Sequence, residues 1–205
     1  MTLADDAWIA PAPGSPTRWE LTHHILTVAY MRRGEDELGQ RARPVLEQLR
    51  DETGESALLI VPDVRNFIVV DSTDSRQMLR TSVSIGLVVP ANGSATGRCV
   101  VPYFEPERQA QLMGGRPDEA LLEHFRLSCE RGYSVSNEVV IEGVSHEGAT
   151  TIAAPIFDAA GHPTGTVAIT GPTDRLTPER QAEVGPMVAA AGRSLSRGRP
   201  RGTFF

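Results

Sequence analysis

Apolar residues recur at helical spacing in the first quarter of the chain. Leu21, Ile25 and Val28 lie three or four positions apart, which predicts a helix over about residues 20–33. A second helix is predicted over about 35–53. Its apolar face is formed by Leu38, Ala42, Val45, Leu46 and Leu49.

The middle of the chain changes to short runs of Leu, Ile and Val that are typical of strands. Ser56–Val61 and Asn66–Val70 predict two strands joined by a turn, and the alternation in Met78–Ser84 predicts a third. Thr151–Phe157 and Thr166–Thr170 predict two more, joined by a turn that contains a glycine.

Three further helices are predicted after the first strands, over Ser94–Phe104, over about 118–131 and from Thr177–Pro178 to the region of Leu195. The last one begins with a capping residue followed by proline at the first helical position. Because helices and strands do not alternate strictly, we expect an α+β fold with an antiparallel sheet flanked by helices.

A small hairpin is predicted before all of these elements, over residues 7–21, where two short apolar runs flank a segment rich in proline and glycine. An isolated two-stranded hairpin is marginally stable in water, so this one looks like a fragment of something larger.

The composition fits one good-sized globular domain with a small appendage. The chain has 205 residues, of which 40% are hydrophobic and 22% charged. It contains no apolar run of about 18 residues and no signal-peptide pattern at its start, so a cytoplasmic protein without membrane contact is expected. The net charge of −6 makes it a poor DNA binder on its own.

The cysteines and histidines predict no metal site, no cofactor and no catalytic centre. Cys99 and Cys129 fall in predicted helices, where we expect two buried thiols. His23 and His24, the one close pair of histidines, would point to different helix faces and cannot share a metal ion. We therefore do not expect an enzyme.

Several motifs in the second half of the chain occur together in a recognisable order. The segment Glu147–Asp158 is followed by Gly161, by Ala168–Pro172 and by Arg175–Arg180. This set resembles the C-terminal signature of the IclR family of transcriptional regulators. Similar segments lie upstream at Ala42–Leu49, Glu52–Glu55, Pro90–Arg98 and Arg131–Val135, so that the resemblance covers roughly residues 38–197.

The resemblance implies a GAF-like effector domain whose helices make dimer or tetramer contacts. It divides the chain into a hairpin at 1–21 resembling the wing of a winged helix-turn-helix, a linker helix at 22–37, an effector-binding domain at 38–198 and a mobile tail at 199–205. DNA would be reached only through winged-helix segments preceding residue 1.

The implied function is that of a small-molecule sensor in an IclR-type regulator. The alternative is a partner module that does not bind DNA and acts through mixed oligomers. An in-frame helix-turn-helix encoded upstream of Met1 would exclude that alternative.

The loop at 92–97 offers two interpretations. Its small residues could expose backbone N–H groups to an anionic ligand at a helix start, or they could simply form a tight loop packed on the sheet. The resemblance favours ligand contact for Ala95 and Thr96.

The resemblance also places a polar end of the pocket on the later strands. Thr151 and Thr170 would face one ligand from adjacent strands, although strand threonines are common without such a role. Ala168 matches a position where serines contact small carboxylates in glyoxylate-type members, and Ser136 matches an acidic position; neither supplies that polar group here.

Met78, Thr81 and Val89 match the apolar wall of the pocket, an assignment that core packing explains equally well. Because Ala168 and Ser136 lack the polar groups of the glyoxylate type, the resemblance implies a larger or more apolar effector than glyoxylate, such as an organic acid or an aromatic metabolite.

Overall fold

The structure, a computed structural model, describes residues 2–4, 6–25, 37–141 and 144–203. The chain divides into two compact units, Met1–Gln40 and Arg41–Phe205. No helix within the described ranges is long and apolar enough to cross a membrane.

The first unit contains the predicted hairpin. β1 (Ile9–Ala12) pairs antiparallel with β2 (Ser15–Leu21). The Trp8 and His24 rings meet edge to face with centroids 4.6 Å apart. The helix predicted over 20–33 begins too early, because β2 extends to Leu21, and residues 26–36, which carry most of the predicted linker helix, lie outside the described residues.

The second unit is built from six strands and the helices that pack on them. In chain order the elements are α1 (Glu37–Thr53), β3 (Ser56–Pro62), β4 (Phe67–Thr73), β5 (Val88–Val89), α2 (Ala95–Val100), a 3₁₀ turn (Val101–Tyr103), α3 (Pro106–Met113), α4 (Glu119–Arg131), β6 (Ser134–Ile141), β7 (Val144–Phe157), β8 (Pro163–Pro172) and α5 (Pro178–Leu195). α1 begins in the first unit and ends in the second, and Pro44 inside it does not divide it.

The six strands form one antiparallel sheet in the order β5-β4-β3-β8-β7-β6. Leu58, Ala168 and Ala153 are neighbours across β3, β8 and β7, and all three belong to the main buried cluster with Cys99 on α2. α5 covers the opposite face of the sheet, because a Cβ at Gly192 would lie 2.7 Å from Pro155 O. The predicted α+β architecture, an antiparallel sheet flanked by helices, is confirmed.

One predicted element is wrong, and other elements were not predicted. Met78–Ser84 is irregular, and the short strand in this region is β5, placed further along. The stretch 137–147, where no strand was predicted, belongs to β6 and β7, which pair from Glu138–Glu147 to Ile141–Val144. α3 was not predicted, and it begins at a proline that supplies its first helical position.

The tail after α5 contacts the β7–β8 turn, which the prediction of a mobile end did not anticipate. Arg197 N donates to Phe157 O at 2.9 Å, and Arg201 N donates to Gly161 O at 3.4 Å. Gly161 has a φ of +81° and leaves no room for a side chain, since a Cβ there would lie 2.4 Å from Arg199 O.

Candidate functional site

A pocket opens between the α2 side of the sheet and the segment that precedes α2. Its lining comes from β3, β4, β6, β7, β8 and α2 together with the irregular segment between β4 and β5. The residues are Leu58, Ile60, Val69, Val83, Leu87, Val89, Ser94, Ala95, Thr96, Glu138, Thr151 and Thr170.

The pocket is narrow for its total size. It encloses about 470 Å³ of empty space when the mouth is counted, but the centres of water-sized spheres can occupy only about 40 Å³ of it. Because one water needs roughly 10–15 Å³ by this measure, about three waters or a ligand of similar size fit without movement of the walls.

Two threonine hydroxyls form the polar end of the pocket. Thr151 and Thr170 are direct partners across β7 and β8. Thr151 Oγ1 donates to Thr170 Oγ1 at 3.1 Å, and Thr170 Oγ1 donates onward to Thr150 O at 3.3 Å. In this arrangement Thr151 Oγ1 uses its proton and accepts no hydrogen bond from the described residues, so both of its lone pairs can accept hydrogen bonds from a ligand.

The loop before α2 is shaped by close packing. Ser94 caps the helix: its Oγ accepts from Gly97 N at 3.0 Å and donates to Pro90 O at 2.6 Å. A Cβ at Gly97 would lie 1.7 Å from Ala91 O, so only glycine permits this approach. The tight-loop interpretation therefore accounts for the small residues here, and the cap already uses one of the N–H groups that an anion would need.

Glu138, an exposed acidic residue, lines the pocket at a position that the sequence analysis did not name. It stands two residues after Ser136 on β6, where the register between β6 and β7 shifts. Ser136 itself lacks a carboxylate, as the sequence showed, but the acidic residue lies two positions further along the same strand.

Arg98 on α2 stands behind Glu138. Its Nη1 donates to Val135 O at 3.0 Å, and its Nε is buried without a hydrogen-bond partner. Burial lowers the pKa of the guanidinium, while the Glu138 carboxylate acts in the opposite direction. The carboxylate and this cation are thus close enough to influence each other.

Five of the predicted site residues line the pocket together. They are Val89, Ala95, Thr96, Thr151 and Thr170. Thr96 Oγ1 also lies 3.5 Å from Thr166 Oγ1, which ties α2 to β8.

Two residues predicted near the polar end do not line the pocket. Ser136 Oγ lies 2.8 Å from Glu138 O and 3.1 Å from Gly93 O, so main-chain carbonyls take up its single proton. Ala168 is fully buried in the core beneath α2.

Met78 and Thr81 do not form the apolar wall either. Met78 is 99% exposed, and Thr81 is half-buried outside the pocket, where its carbonyl accepts from Ser56 Oγ at 2.6 Å. The resemblance assigned both residues to this wall, but the segment that carries them is irregular, and Val83 and Leu87 supply the wall instead.

Sequence reasoning also missed three wall residues on regular strands. Leu58 and Ile60 on β3 and Val69 on β4 all line the pocket. Leu58 and Ile60 stand two positions apart on β3, so alternation along that strand could have found them once one pocket-facing residue was known.

The two thiols have no features of reactive cysteines. Cys99 is buried and Cys129 half-buried, and burial raises the pKa of both. The Tyr103 hydroxyl hydrogen-bonds Cys129, and burial raises the pKa of that phenol as well. Across the described ranges, no three His, Cys, Asp or Glu side chains come together in a way that could hold a metal ion.

Comparisons with known proteins identify the relatives of this chain. The family model described as bacterial transcriptional regulator IclR C-terminal matches residues 34–197. The transcriptional repressor IclR of Escherichia coli is 27% identical over 166 residues, which are 75% of this chain and 59% of that protein. The glycerol operon regulatory protein of Streptomyces coelicolor is 30% identical over 193 residues, 88% of this chain and 72% of that protein.

Solved structures agree on the fold. An IclR-type regulator from Silicibacter sp. TM1040 superimposes with a TM-score of 0.81 at 22% identity, over 97% of this chain and 81% of that one. The chain spans only 59% to 62% of the length of the first curated relatives that it matches.

Proposed function

Because this chain belongs to the IclR family of bacterial transcriptional regulators, we propose that the pocket beside α2 is where a small effector binds. Residues 34–197 are the C-terminal regulatory domain of such a protein, and the known relatives are transcriptional regulators rather than enzymes.

The observation that carries the proposal is the paired hydroxyls at the end of an apolar pocket. Thr151 and Thr170 stand 3.1 Å apart at that end, and the sheet contributes aliphatic side chains such as Leu58 and Val69. A few convergent polar groups in a mostly apolar cleft are typical of small-molecule sites, where the apolar walls supply affinity and the polar groups orientation.

The lining favours a small, uncharged, hydroxyl-bearing effector. Among the described lining residues Glu138 is the acidic one and none is Lys, Arg or His; the cation that acts on Glu138, Arg98, does not line the pocket. The carboxylate of Glu138 accepts hydrogen bonds and repels a second carboxylate. A ligand that donates through hydroxyl groups therefore fits this residue better than an organic acid does. Because a cavity volume of about 40 Å³ holds only about three waters, a short polyol requires some movement of the walls, but less than an aromatic metabolite would.

The names of two relatives allow two effector classes to be compared. One is called a glycerol operon regulatory protein and another an acetate operon repressor. Glycerol offers three hydroxyl donors to Glu138 and the threonine pair, whereas acetate offers only acceptors at neutral pH. We therefore place short polyols ahead of the organic acids and aromatic metabolites that the sequence suggested.

The sensing mechanism requires a conformational response that reaches DNA. A ligand shifts an equilibrium between two arrangements only by its difference in affinity for them. We propose that the effector favours one arrangement of an oligomer of this protein, and that winged-helix segments of the whole regulator carry the response to an operator.

The proposal is tested by thermal unfolding of the chain with glycerol, erythritol, pyruvate and benzoate. A ligand that binds the folded state alone stabilises it by about 2.7 kcal/mol at 100 times its dissociation constant. We expect stabilisation by a polyol that disappears in Thr151→Val. This variant keeps the shape of the side chain, and Thr170 can still donate to Thr150 O.

Thr164→Val on β8 is the matched control, since the Thr164 hydroxyl donates to Ile156 O outside the pocket. Polyols also stabilise proteins generally by exclusion from their surface, and that effect would be equal in both variants. A panel that stabilises wild type and Thr151→Val alike would contradict a site at the threonine pair.

A further inference from the structure

One wall of the pocket is formed by a segment with little regular structure. Residues 74–87 connect β4 to β5 and contribute Val83 and Leu87 to the lining. The end of the segment is held by main-chain bonds, Gly86 N to Val69 O at 2.7 Å and Val69 N to Leu87 O at 3.0 Å. The stretch before it needs other anchors.

Side chains from the base of the sheet supply those anchors. Ser56 Oγ donates to Thr81 O at 2.6 Å and accepts from Ser75 N at 3.0 Å. Arg175, in the turn between β8 and α5, donates through Nη1 to Leu79 O at 2.8 Å. Three points of the wall segment, Ser75, Leu79 and Thr81, are thus tied to the fold by side chains on other elements.

Arg175 is itself held rigidly. Its Nε and Nη2 donate to the two carboxylate oxygens of Glu55 at 2.6 and 2.7 Å, and the Glu55 side chain is only 4% exposed. Gly171 makes room for this pair, since a Cβ there would lie 2.2 Å from Glu55 Oε2. The two-point contact orients the planar guanidinium, and its remaining nitrogen is thereby aimed at Leu79.

We propose that Arg175 is a positioning residue of the effector pocket. Through its two-point contact with Glu55 it holds the wall segment 74–87, so that Val83 and Leu87 close the site. Arg175 does not line the pocket and acts only through Leu79. The effect of Arg175 on effector binding rests on the proposed function, but its effect on the position of the wall segment does not.

The test uses Arg175→Lys in the full chain. Lysine keeps the positive charge beside the buried Glu55, but a single ammonium group cannot make the two-point contact and reach Leu79 O in the same geometry. We expect amide hydrogen exchange, measured by NMR, to become about tenfold faster at Gln77, Gly86 and Leu87. Exchange within β7 and β8 should stay at wild-type rates.

Arg43→Lys is the matched control. Arg43 on α1 makes an analogous contact, with Nη1 donating to Asp71 Oδ1 at 2.9 Å and to Ser72 O at 3.0 Å, but it does not touch the wall segment. Unchanged exchange at Gly86 and Leu87 in Arg175→Lys, or the same acceleration in Arg43→Lys, would overturn the proposal. Should Arg175→Lys fail to fold, Glu55→Gln loosens the same clamp and gives the same readout.

Glycerol binding measured by calorimetry provides the second readout. We expect Arg175→Lys to bind glycerol at least about fivefold more weakly than Arg43→Lys. Equal affinities with accelerated exchange would overturn the positioning role, because the wall would then move without consequence for the site. Absence of glycerol binding by the wild type would count against the polyol proposal, and the exchange rates would then decide on the clamp.

Discussion

At Gly97 the main chain of α2 passes so close to Ala91 that hydrogen is the largest substituent the helix tolerates there. This contact fixes Ala95 and Thr96 against the sheet, since both stand in the same short helix. The residue that shapes this side of the pocket is thus one that does not line it.

Gly97→Ala should destabilise the fold by about 1–3 kcal/mol, because a Cβ 1.7 Å from a carbonyl oxygen forces the backbone to move. Urea denaturation measures the loss. The control is Gly114→Ala, where the added Cβ meets nothing within 4 Å and the cost is only that of a positive φ. A loss in Gly97→Ala no larger than that in Gly114→Ala would contradict a steric cost beyond that of an unfavourable φ.

Individual residues also show how far the site could be predicted from the sequence. Thr151 and Thr170 could be placed together because two strands joined by a short turn pair directly. The register of β7 and β8 then makes these two residues neighbours. Glu138 was not found because the resemblance placed the acidic position at Ser136, two residues earlier on β6, where the register with β7 shifts. Met78 was misplaced because the resemblance assigned it to the pocket wall, whereas the segment that carries it is irregular and turns its side chain to solvent.

Among the elements, α4 shows how local signals define both ends of a helix. Asp118 accepts from Leu121 N at 2.8 Å at the start, and Gly132 ends the helix in the left-handed conformation with a φ of +76°. Phe125 is fully buried in the cluster beneath the helix. Such a helix is predictable because caps and apolar spacing agree.

Asp118→Ala should lower the free energy of unfolding by roughly 0.5–2 kcal/mol, since it leaves the N–H of Leu121 without its capping acceptor. Asp118→Asn keeps an acceptor oxygen and should retain most of that stability. Chemical denaturation of the three proteins under one condition gives the comparison. A loss of the same size in Asp118→Asn would assign the effect to charge at the helix start rather than to the cap.

The segment between β4 and β5 has none of these local signals. Ser56 and Arg175 hold it from elements distant in sequence, and no spacing rule connects them in advance. Elements with their own hydrogen-bond ladders or caps could be predicted, whereas a segment held by distant side chains could not.

For the whole molecule, the division into two units has a spectroscopic consequence. Trp8 and Trp19, the two tryptophans of the chain, both belong to the first unit, while most of the helix and strand content belongs to the second. A two-stranded hairpin is marginal alone, so the first unit should be the less stable.

Thermal unfolding followed by tryptophan fluorescence should therefore precede unfolding followed by far-UV circular dichroism. Trp8, half-buried against His24, is the side chain expected to respond. Transitions that coincide by both signals would contradict this expectation, because agreement between probes is the mark of a single cooperative unit. Trp19→Phe, which removes a tryptophan that is 51% exposed, should leave the fluorescence midpoint unchanged.

The helix that crosses the unit boundary also has a mechanical property. α1 is 17 residues long and ends at Thr53, two positions before the clamped Glu55. At a rise of about 1.5 Å per residue it is a rod of about 25 Å, so a tilt of about 10° at its clamped end carries the other end about 4 Å. A change of tilt of this size at Thr53 would displace Glu37 by a distance comparable with the spacing of adjacent strands.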